Sequence, residues 1–385
     1  MKKSKNADVC IIGGGVSGIA AAIAARMKDP QASICLIEKK DKIGKKLLAT
    51  GNGRCNFTNI NCETSNEILS FFNMLGIKER VEEQGRVYPY SGKAKDVLHA
   101  LESYINANNI KVYKEFEVEN LRINAGKSTD VLSGNKKISA LKVLIATGGK
   151  AGPQFGCIGD GYKLAREMGH TVTKLLPALS PVECEGEFTK LKGIRVKAKV
   201  TLVKNEKVLS TEIGELQFTE YGLSGICILN LSRYIRLEAG KFADYEISAD
   251  LLYDMNADEL EQELKSRKSN NNIMPDNLLV SIVPEELASF VLSKVNNKED
   301  IKKLAHLLKN LTFTVSGVKG WKFAQCTSGG IPIAEVDINT MESKIIKGLY
   351  FAGEIIDYDG PCGGFNLNNA WETGIKAGKA MVTSV

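Results

Sequence analysis

Residues 8–38 constrain this chain more than any other stretch. Asp8-Val9-Cys10-Ile11-Ile12 is a short apolar, β-branched run of the kind that fills a buried parallel strand. Gly13-Gly14-Gly15-Val16-Ser17-Gly18 follows and opens an alanine-rich segment, Val16–Lys28, which predicts a helix stopped by Asp29-Pro30. Residues 33–37 read as a second strand, and Glu38 ends it, 20 residues beyond Gly18. A strand–turn–helix–strand unit of this pattern suits a dinucleotide. Gly13 permits the tight turn, Gly15 lets the backbone approach a pyrophosphate, and Gly18 lets helix and strand pack closely. Val16, Ser17 and Gly18 begin the helix, whose unpaired N–H groups and positive dipole end favour phosphate. Glu38 is placed to accept charge-assisted hydrogen bonds from ribose hydroxyls, each worth about 1.5–3 kcal/mol. A carboxylate there repels a 2′-phosphate, so the nucleotide held is expected not to be NADP.

Three further stretches extend the site. Residues 39–46 carry five lysines and run into Leu47-Leu48-Ala49-Thr50-Gly51-Asn52-Gly53-Arg54-Cys55-Asn56-Phe57-Thr58-Asn59, whose glycines and small polar residues suit a loop folded around a polar ligand. Lys39, Gly44, Lys46, Gly51, Gly53, Arg54, Cys55 and Asn56 are the candidate contacts, with Lys46 and Arg54 the candidate phosphate-facing cations. The apolar run 141–145 predicts a strand ending in Ala146-Thr147-Gly148, whose N–H groups can approach a nucleotide. Residues 111–121 alternate as a strand, and backbone groups at Val118 are placed to pair with an adenine edge. At the other end, Gly348-Leu349-Tyr350-Phe351-Ala352-Gly353-Glu354 is followed by Gly363-Gly364-Phe365-Asn366. A site closed by both ends of the chain points to resident FAD rather than freely exchanging NAD.

The 385 residues allow two or three domains, and 43% hydrophobic with 25% charged residues is an ordinary globular balance. Net charge is +6, with lysines and arginines spread along the chain, which reads as a solvated surface rather than a nucleic-acid footprint. Nine cysteines at irregular spacings without a CxxC pair, and only three histidines, predict neither a disulfide framework nor a metal centre. Reduced thiols in a cytoplasm fit best. Lys2, Lys3 and Lys5 ahead of the apolar residues 9–25 imitate a secretory signal, but the glycine triplet and the spaced acid favour strand–turn–helix. No run of 18 apolar residues predicts a membrane span.

From about Phe188 the pattern changes. Residues 196–203 alternate as a strand, and β-like runs continue to about Ile247, with Gly214 and Gly222 as turn signals. Residues 258–268, 284–295 and 301–311 are helical in pattern. This is an inserted β-rich module with a small helical subdomain, expected to cap the redox site rather than to form an oligomer surface.

The chain resembles the BaiN/YhiN-like group of NAD(P)/FAD-dependent oxidoreductases, within the two-dinucleotide-binding flavoprotein class. The matching stretches are Gly13 to Gly18, Ile43-Gly44-Lys45-Lys46 through Asn59, Gly85-Arg86-Val87-Tyr88-Pro89, Gly159-Asp160-Gly161-Tyr162, Gly214-Glu215-Leu216-Gln217-Phe218-Thr219, Tyr221-Gly222-Leu223-Ser224-Gly225 and residues 327–374. The resemblance implies an α/β fold: a split Rossmann-like FAD domain (1–187 and 321–385), an inserted β-rich domain (188–256) and a helical part of the insert (257–320). It implies that Glu354, after Gly353, bonds the ribityl chain of non-covalent FAD, and that Gly363, Gly364, Phe365 and Asn366 line the isoalloxazine. A helix starting near Asn368 then points its N-terminus at the flavin N1–C2=O edge. The implied activity is hydride transfer from NAD(P)H through flavin N5 to a small, apolar, electron-poor substrate such as an enone. With no second GxGxxG unit, NAD(P)H is expected to dock transiently. The alternatives are a tRNA-modifying flavoprotein and a non-enzymatic flavin-binding redox sensor.

Candidate proton donors are Tyr88, Tyr221 and Tyr358, with Arg86 a candidate anion anchor; ordinary packing competes for each. Cys55 and Cys62 stand as CxxxxxxC, not the CxxxxC of disulfide reductases, and are expected to be unpaired thiols. His99 and His170 lie in helix-like segments and read as structural. The sequence leaves the substrate, the choice of NADH or NADPH and the oligomeric state open.

Overall fold

β1 (Lys5–Ile12), α1 (Val16–Lys28) and β2 (Ile34–Ile37) open the chain, with Val9 to Ile12 of β1 buried and in parallel register against Ile34 to Ile37. The computed structural model describes residues 5–124, 128–236, 242, 244–297 and 300–383. Lys2 and Lys3, which raised the signal alternative, lie outside the described residues. Next come β3 (Thr58–Asn59), α2 (Ser65–Met74), β4 (Glu79–Val81), β5 (Arg86–Pro89), α3 (Ala94–Ala107), β6 (Lys111–Tyr113), β7 (Asn120–Asn124), β8 (Ser128–Ser133), β9 (Lys136–Ile145), α4 (Asp160–Glu167) and β10 (Leu176–Ala178). An insert follows with β11 (Val182–Cys184), β12 (Arg195–Lys204), β13 (Lys207–Thr219), β14 (Gly222–Ser224), α5 (Ile226–Ser232), β15 (Tyr245–Asp250), α6 (Ala257–Ser269), α7 (Glu285–Ser293), α8 (Ile301–Lys309) and β16 (Leu311–Val318). The chain then returns through β17 (Cys326–Ser328), β18 (Leu349–Phe351) and α9 (Phe365–Val382).

The chain divides into two units, Met1–Leu176 with Gln325–Val385, and Pro177–Ala324. In the first, a sheet runs β6-β2-β1-β9-β8-β7, with β18 also on β9. The ten residues of β9 pair in parallel with β1 on one side and divide the other side between two strands: the first half pairs antiparallel with β8, and Val143, Leu144 and Ile145 pair in parallel with β18. That arrangement brings three chain turns to one edge of the sheet. Gly13 N–H donates to Ile37 O at 2.8 Å, Ala146 N–H to Ile12 O at 2.8 Å, and Ala352 N–H to Ile145 O at 3.3 Å. The carboxyl ends of parallel strands are where open α/β sheets bind ligands.

Helix α9 lies directly on α1. A Cβ added to Gly374 falls 2.3 Å from Ser17 O, and one on Gly378 falls 2.2 Å from Ala21 O, so the glycines at these two positions set the approach. The helix begins at Phe365, three residues before the expected start at Asn368, because Gly364 in the left-handed region (φ 108°) already turns the chain into it. Phe365 and Asn366 are therefore its first turn. The strand expected over 111–121 is broken: β6 ends at Tyr113 and β7 begins at Asn120, so Val118 stands in the connecting loop.

The second unit is a closed barrel in the order β11-β14-β13-β12-β15-β16, sharing one apolar core with α6, α7 and α8. The helical region is thus not separate from the β-rich one. Residues 311–318, expected in the helical part, form β16 with strict alternation of buried and exposed positions, and they close the barrel on β11 and β15. Residues 177–187 and 321–324, expected with the nucleotide domain, stand with the insert. Gly214 is no turn: it pairs with Ala198 inside β13, and the β12–β13 turn is made by Asn205 and Glu206 at φ 49° and 64°.

Candidate functional site

A cleft opens at the carboxyl ends of β1, β2 and β9. The three fingerprint glycines do different work there. A Cβ on Gly13 (φ 112°) would lie 2.4 Å from Ala146 O, and one on Gly18 would lie 1.9 Å from Gly13 O, so both glycines permit close packing. A Cβ on Gly15 would meet nothing within 4 Å among the described residues. Gly15 lines the cleft, so its bare backbone leaves a cradle at the N-terminus of α1 that a side chain would fill. Ser17 is buried and turned to the other side, its hydroxyl 2.5 Å from where a Gly353 Cβ would sit. Val16 is half-buried beside it in the same first turn.

Glu38 lines the same cleft with its carboxylate oriented by backbone. Gly14 N–H donates to Oε2 at 3.0 Å and Lys40 N–H to Oε1 at 2.8 Å, which leaves further acceptor capacity for hydroxyls. The lysine loop is pinned to the glycine turn by Gly44 N–H on Gly14 O at 2.7 Å. Lys39 donates to Asp160 at 2.5 Å across the rim. Lys46 donates to Glu354 Oε2 at 2.6 Å, and Glu354 Oε1 accepts from Thr327 N–H and Oγ1, each at 2.9 Å. Burial works against the charge of Lys46, but the Glu354 carboxylate holds the ammonium's pKa above its ordinary value.

Lys39, Gly44, Lys46, Val118, Ala146 and Thr147 join Gly13, Gly15 and Glu38 along the cleft. Thr147 Oγ1 is buried there with no hydrogen-bond partner among the described residues. An open glycine cradle, a positioned carboxylate, paired lysines and an orphan hydroxyl together fit an adenine dinucleotide. Sequence reasoning missed Phe116, Phe155, Gly156, Cys157 and Asp160, which also line the cleft. The Gly159-Asp160-Gly161 block carried the one available signal, since a Cβ on Gly161 would lie 1.9 Å from Thr147 Oγ1.

The second cluster joins the Asn52-Gly53-Arg54-Cys55-Asn56 block to the C-terminal glycines, some 300 residues away in sequence. Gly51, Asn52, Gly53 and Cys55 all take positive φ, between 55° and 83°, which coils this segment into a tight turn. A Cβ on Gly364 would fall 2.4 Å from Thr58 O and 3.1 Å from Asn56 Oδ1, so the two blocks touch through backbone. Asn59 Nδ2 donates to Gly363 O at 3.0 Å, and Thr58 Oγ1 donates to Asn368 Oδ1 at 2.6 Å. Asn56 Oδ1 accepts from Val87 N–H at 3.2 Å, and Asn366 exchanges two 2.8 Å hydrogen bonds with the backbone of Gly360. The side-chain amides of Asn56 and Asn366 therefore brace the frame, and Phe365 packs beside Gly360. Gly148, Gly353 and Glu354 stand at the strand ends between the two clusters, with Gly148 facing Cys157.

The candidate catalytic groups separate. Arg86 Nε lies 3.7 Å from a Gly363 Cβ position, which places this guanidinium beside the glycine pair. Tyr88 is buried beneath Arg54, whose guanidinium sits 4.0 Å over the ring and bonds Glu82. Tyr358 is 40% exposed, its hydroxyl next to Gly360. Tyr221 belongs to the barrel unit, where Lys319 stacks 4.1 Å above its ring. Cys55 is fully buried, and desolvation pushes its thiol up to about 12, which leaves it inert as a nucleophile. None of the nine cysteines is joined in a disulfide.

One constellation imitates a hydrolase. His170 Nε2 meets Ser343 Oγ at 2.8 Å, and Nδ1 meets Glu335 Oε2 at 2.8 Å. Ser343 Oγ also accepts from Ile345 and Ile346 N–H at 3.0 and 2.8 Å, so its lone pairs are engaged and the group ties loops together. His170 follows the end of α4 rather than lying within it, while His99 is an exposed residue of α3. Among the described residues no group of three or more potential metal ligands occurs, and no helix is long and apolar enough to cross a membrane.

The family model described as "HI0933-like protein Rossmann domain" matches residues 7–69 and 60–380. The chain belongs to the HI0933-like family. It is 34% identical to the 3-dehydro-bile acid delta(4,6)-reductase of Clostridium scindens, over 96% of this chain and 98% of that protein. It is 27% identical to the ribosomal RNA dihydrouridine synthase of Haemophilus influenzae, over 96% of this chain and 97% of that protein. The 3-ketosteroid-delta4-(5alpha)-dehydrogenase of Rhodococcus jostii superposes with a TM-score of 0.52 at 12% identity, covering 100% of this chain and 98% of that one, and shares the fold. This member of the HI0933-like family is an FAD-dependent oxidoreductase, with the Rossmann-like domain and barrel insert described above.

Proposed function

We propose that the chain reduces a carbon–carbon double bond conjugated to a carbonyl in a small, largely apolar substrate, with NAD(P)H as the electron source. The observation that carries this reading is the Gly15 cradle beside Glu38, joined through Lys46 and Glu354 to the C-terminal return. The 34% identity to a reductase of such a double bond over nearly the whole chain supports it. Bound FAD supplies a carrier that takes hydride from a nicotinamide and gives it to an electron-poor carbon.

The residues of the chain hold and tune that carrier. Backbone N–H groups at the start of α1 receive the diphosphate, Glu38 the adenosine ribose, and Glu354 the ribityl hydroxyls. The first turn of α9, beginning at Phe365, presents its positive end to the ring, worth about 0.3–2 kcal/mol for a negative charge there. Arg86 beside Gly363 is the candidate anchor for an anionic group, and Tyr358 and Tyr88 are the candidate donors of a proton from Oη.

A second reading has specific support. Relatives in Haemophilus influenzae and Escherichia coli, 27% identical over 95% or more of this chain, are ribosomal RNA dihydrouridine synthases. The uracil 5,6 double bond is also conjugated to a carbonyl, so the same hydride and proton transfers reduce it. Anaerobic mixing of the flavin-loaded protein with NADH or NADPH, then with a steroid enone or with unmodified ribosomal RNA, separates the readings. The enone reading expects bleaching by a nicotinamide and reoxidation by the enone with a saturated product. Reoxidation by RNA alone, with dihydrouridine in the digest, replaces it with the second, and failure of both nucleotides to bleach the flavin ends the nicotinamide link.

A further inference from the structure

Lys46 occupies an electrostatic position unlike that of the other lysines in its loop. Lys39 is committed to Asp160 at the rim, and Lys45 to Asp41 on the surface. Lys46 lines the cleft with its side chain only 27% exposed, and among the described residues Glu354 is its hydrogen-bond partner. An ammonium has three donors, so two remain after Glu354 is served. Glu354 is the fixed member of the pair. Its second oxygen takes two hydrogens from Thr327, and Thr327 Oγ1 in turn accepts from Lys150 and Ala151 N–H at 2.8 and 3.1 Å. Both members flank the first turn of α1: Gly44, two residues before Lys46, bonds Gly14 O, and Gly353, next to Glu354, packs on Ser17.

We infer that Lys46 is shared between two anions, the Glu354 carboxylate and the diphosphate of the nucleotide. Glu354 thereby restrains the cleft's grip on the adenosine diphosphate half while it holds the ribityl half. The inference rests on the reading that the cleft holds FAD. A carboxylate beside the diphosphate site opposes a dianion, and Lys46 between them is the charge that lets both reside there. The two halves of FAD should then respond to Glu354 with opposite sign. ADP carries the diphosphate without the ribityl chain and reads one half alone.

The test is calorimetric titration of ADP and of FAD into the full chain stripped of flavin, for wild type, Lys46→Met, Lys46→Arg, Glu354→Gln and the double variant Lys46→Met/Glu354→Gln. Lys46→Met should weaken both ligands by about tenfold or more, as expected for loss of one charge-assisted hydrogen bond. Lys46→Arg keeps the cation and should retain ADP. Glu354→Gln should tighten ADP severalfold while weakening FAD, and in the double variant that tightening should vanish. Unchanged ADP affinity in Lys46→Met and Glu354→Gln overturns the inference, as does weakening of both ligands by Glu354→Gln. If Lys46→Met does not fold, the Lys46→Arg and Glu354→Gln titrations decide alone. Binding of neither ligand by the wild-type chain instead overturns the FAD reading beneath it.

Discussion

Gly15 and Gly18 stand one turn apart, yet their substitutions should fail differently. Gly15→Ala adds a Cβ into open space, so the protein should fold and melt normally while losing FAD by at least about tenfold, measured by flavin content and titration. Gly18→Ala drives a Cβ into the Gly13 carbonyl and should cost about 1–3 kcal/mol in urea unfolding before any ligand is considered. Cys55 gives a chemical test: with its thiol pushed up to about 12 and fully buried, it should resist iodoacetamide at pH 8 until the chain is unfolded, as read by peptide mass. Glu335 gives a pH test. Burial raises its pKa, but hydrogen bonds from Thr171 and His170 outweigh burial and hold the carboxyl below its usual range. A depressed folded pKa stabilises above the unfolded value near about 4.3 and loses that contribution as pH falls through the folded pKa. The stability gap between wild type and Glu335→Gln should therefore shrink as pH falls below about 4.3 in urea melts. A gap independent of pH contradicts the assignment.

At the scale of elements, the approach of α9 to α1 is set by Gly374 and Gly378. Alanine at either position places a Cβ within 2.3 Å of a backbone oxygen of α1 and should destabilise the first unit by about 1–3 kcal/mol in denaturant melts. The opening β1–α1–β2 unit was legible because its pattern is local: a β-branched run, spaced glycines, a helix and an acid within 31 residues. The strand β16 was also written plainly, in the alternation Leu311, Phe313, Val315 against Thr312, Thr314, Ser316, but it follows three helices and was counted with them. Gly214 misled because glycine in a strand interior and glycine in a turn are alike in sequence. Contacts such as Lys46 with Glu354, or Asn59 with Gly363, join residues more than 300 apart, and no local pattern encodes them. Nor could periodicity find Phe155 and Cys157, which reach the cleft on an irregular loop stabilised by the left-handed glycines Gly152, Gly156 and Gly159.

For the whole molecule, the return of the C-terminus through β18 and α9 makes nucleotide binding and the stability of the first unit one equilibrium. Ligand at 100 times its dissociation constant adds about 2.7 kcal/mol to the state that binds it. The barrel unit has its own core, so FAD should raise the melting of the Rossmann unit and leave the barrel's transition in place, as resolved by calorimetry. A uniform shift of both transitions contradicts this division. The most direct test of the central claim is a crystal structure of the protein with FAD. In it the diphosphate should lie against Gly13 to Gly15, the ribose hydroxyls on Glu38 and the isoalloxazine at Gly363 and Gly364. Flavin density elsewhere, or with its ring at Glu38, contradicts it.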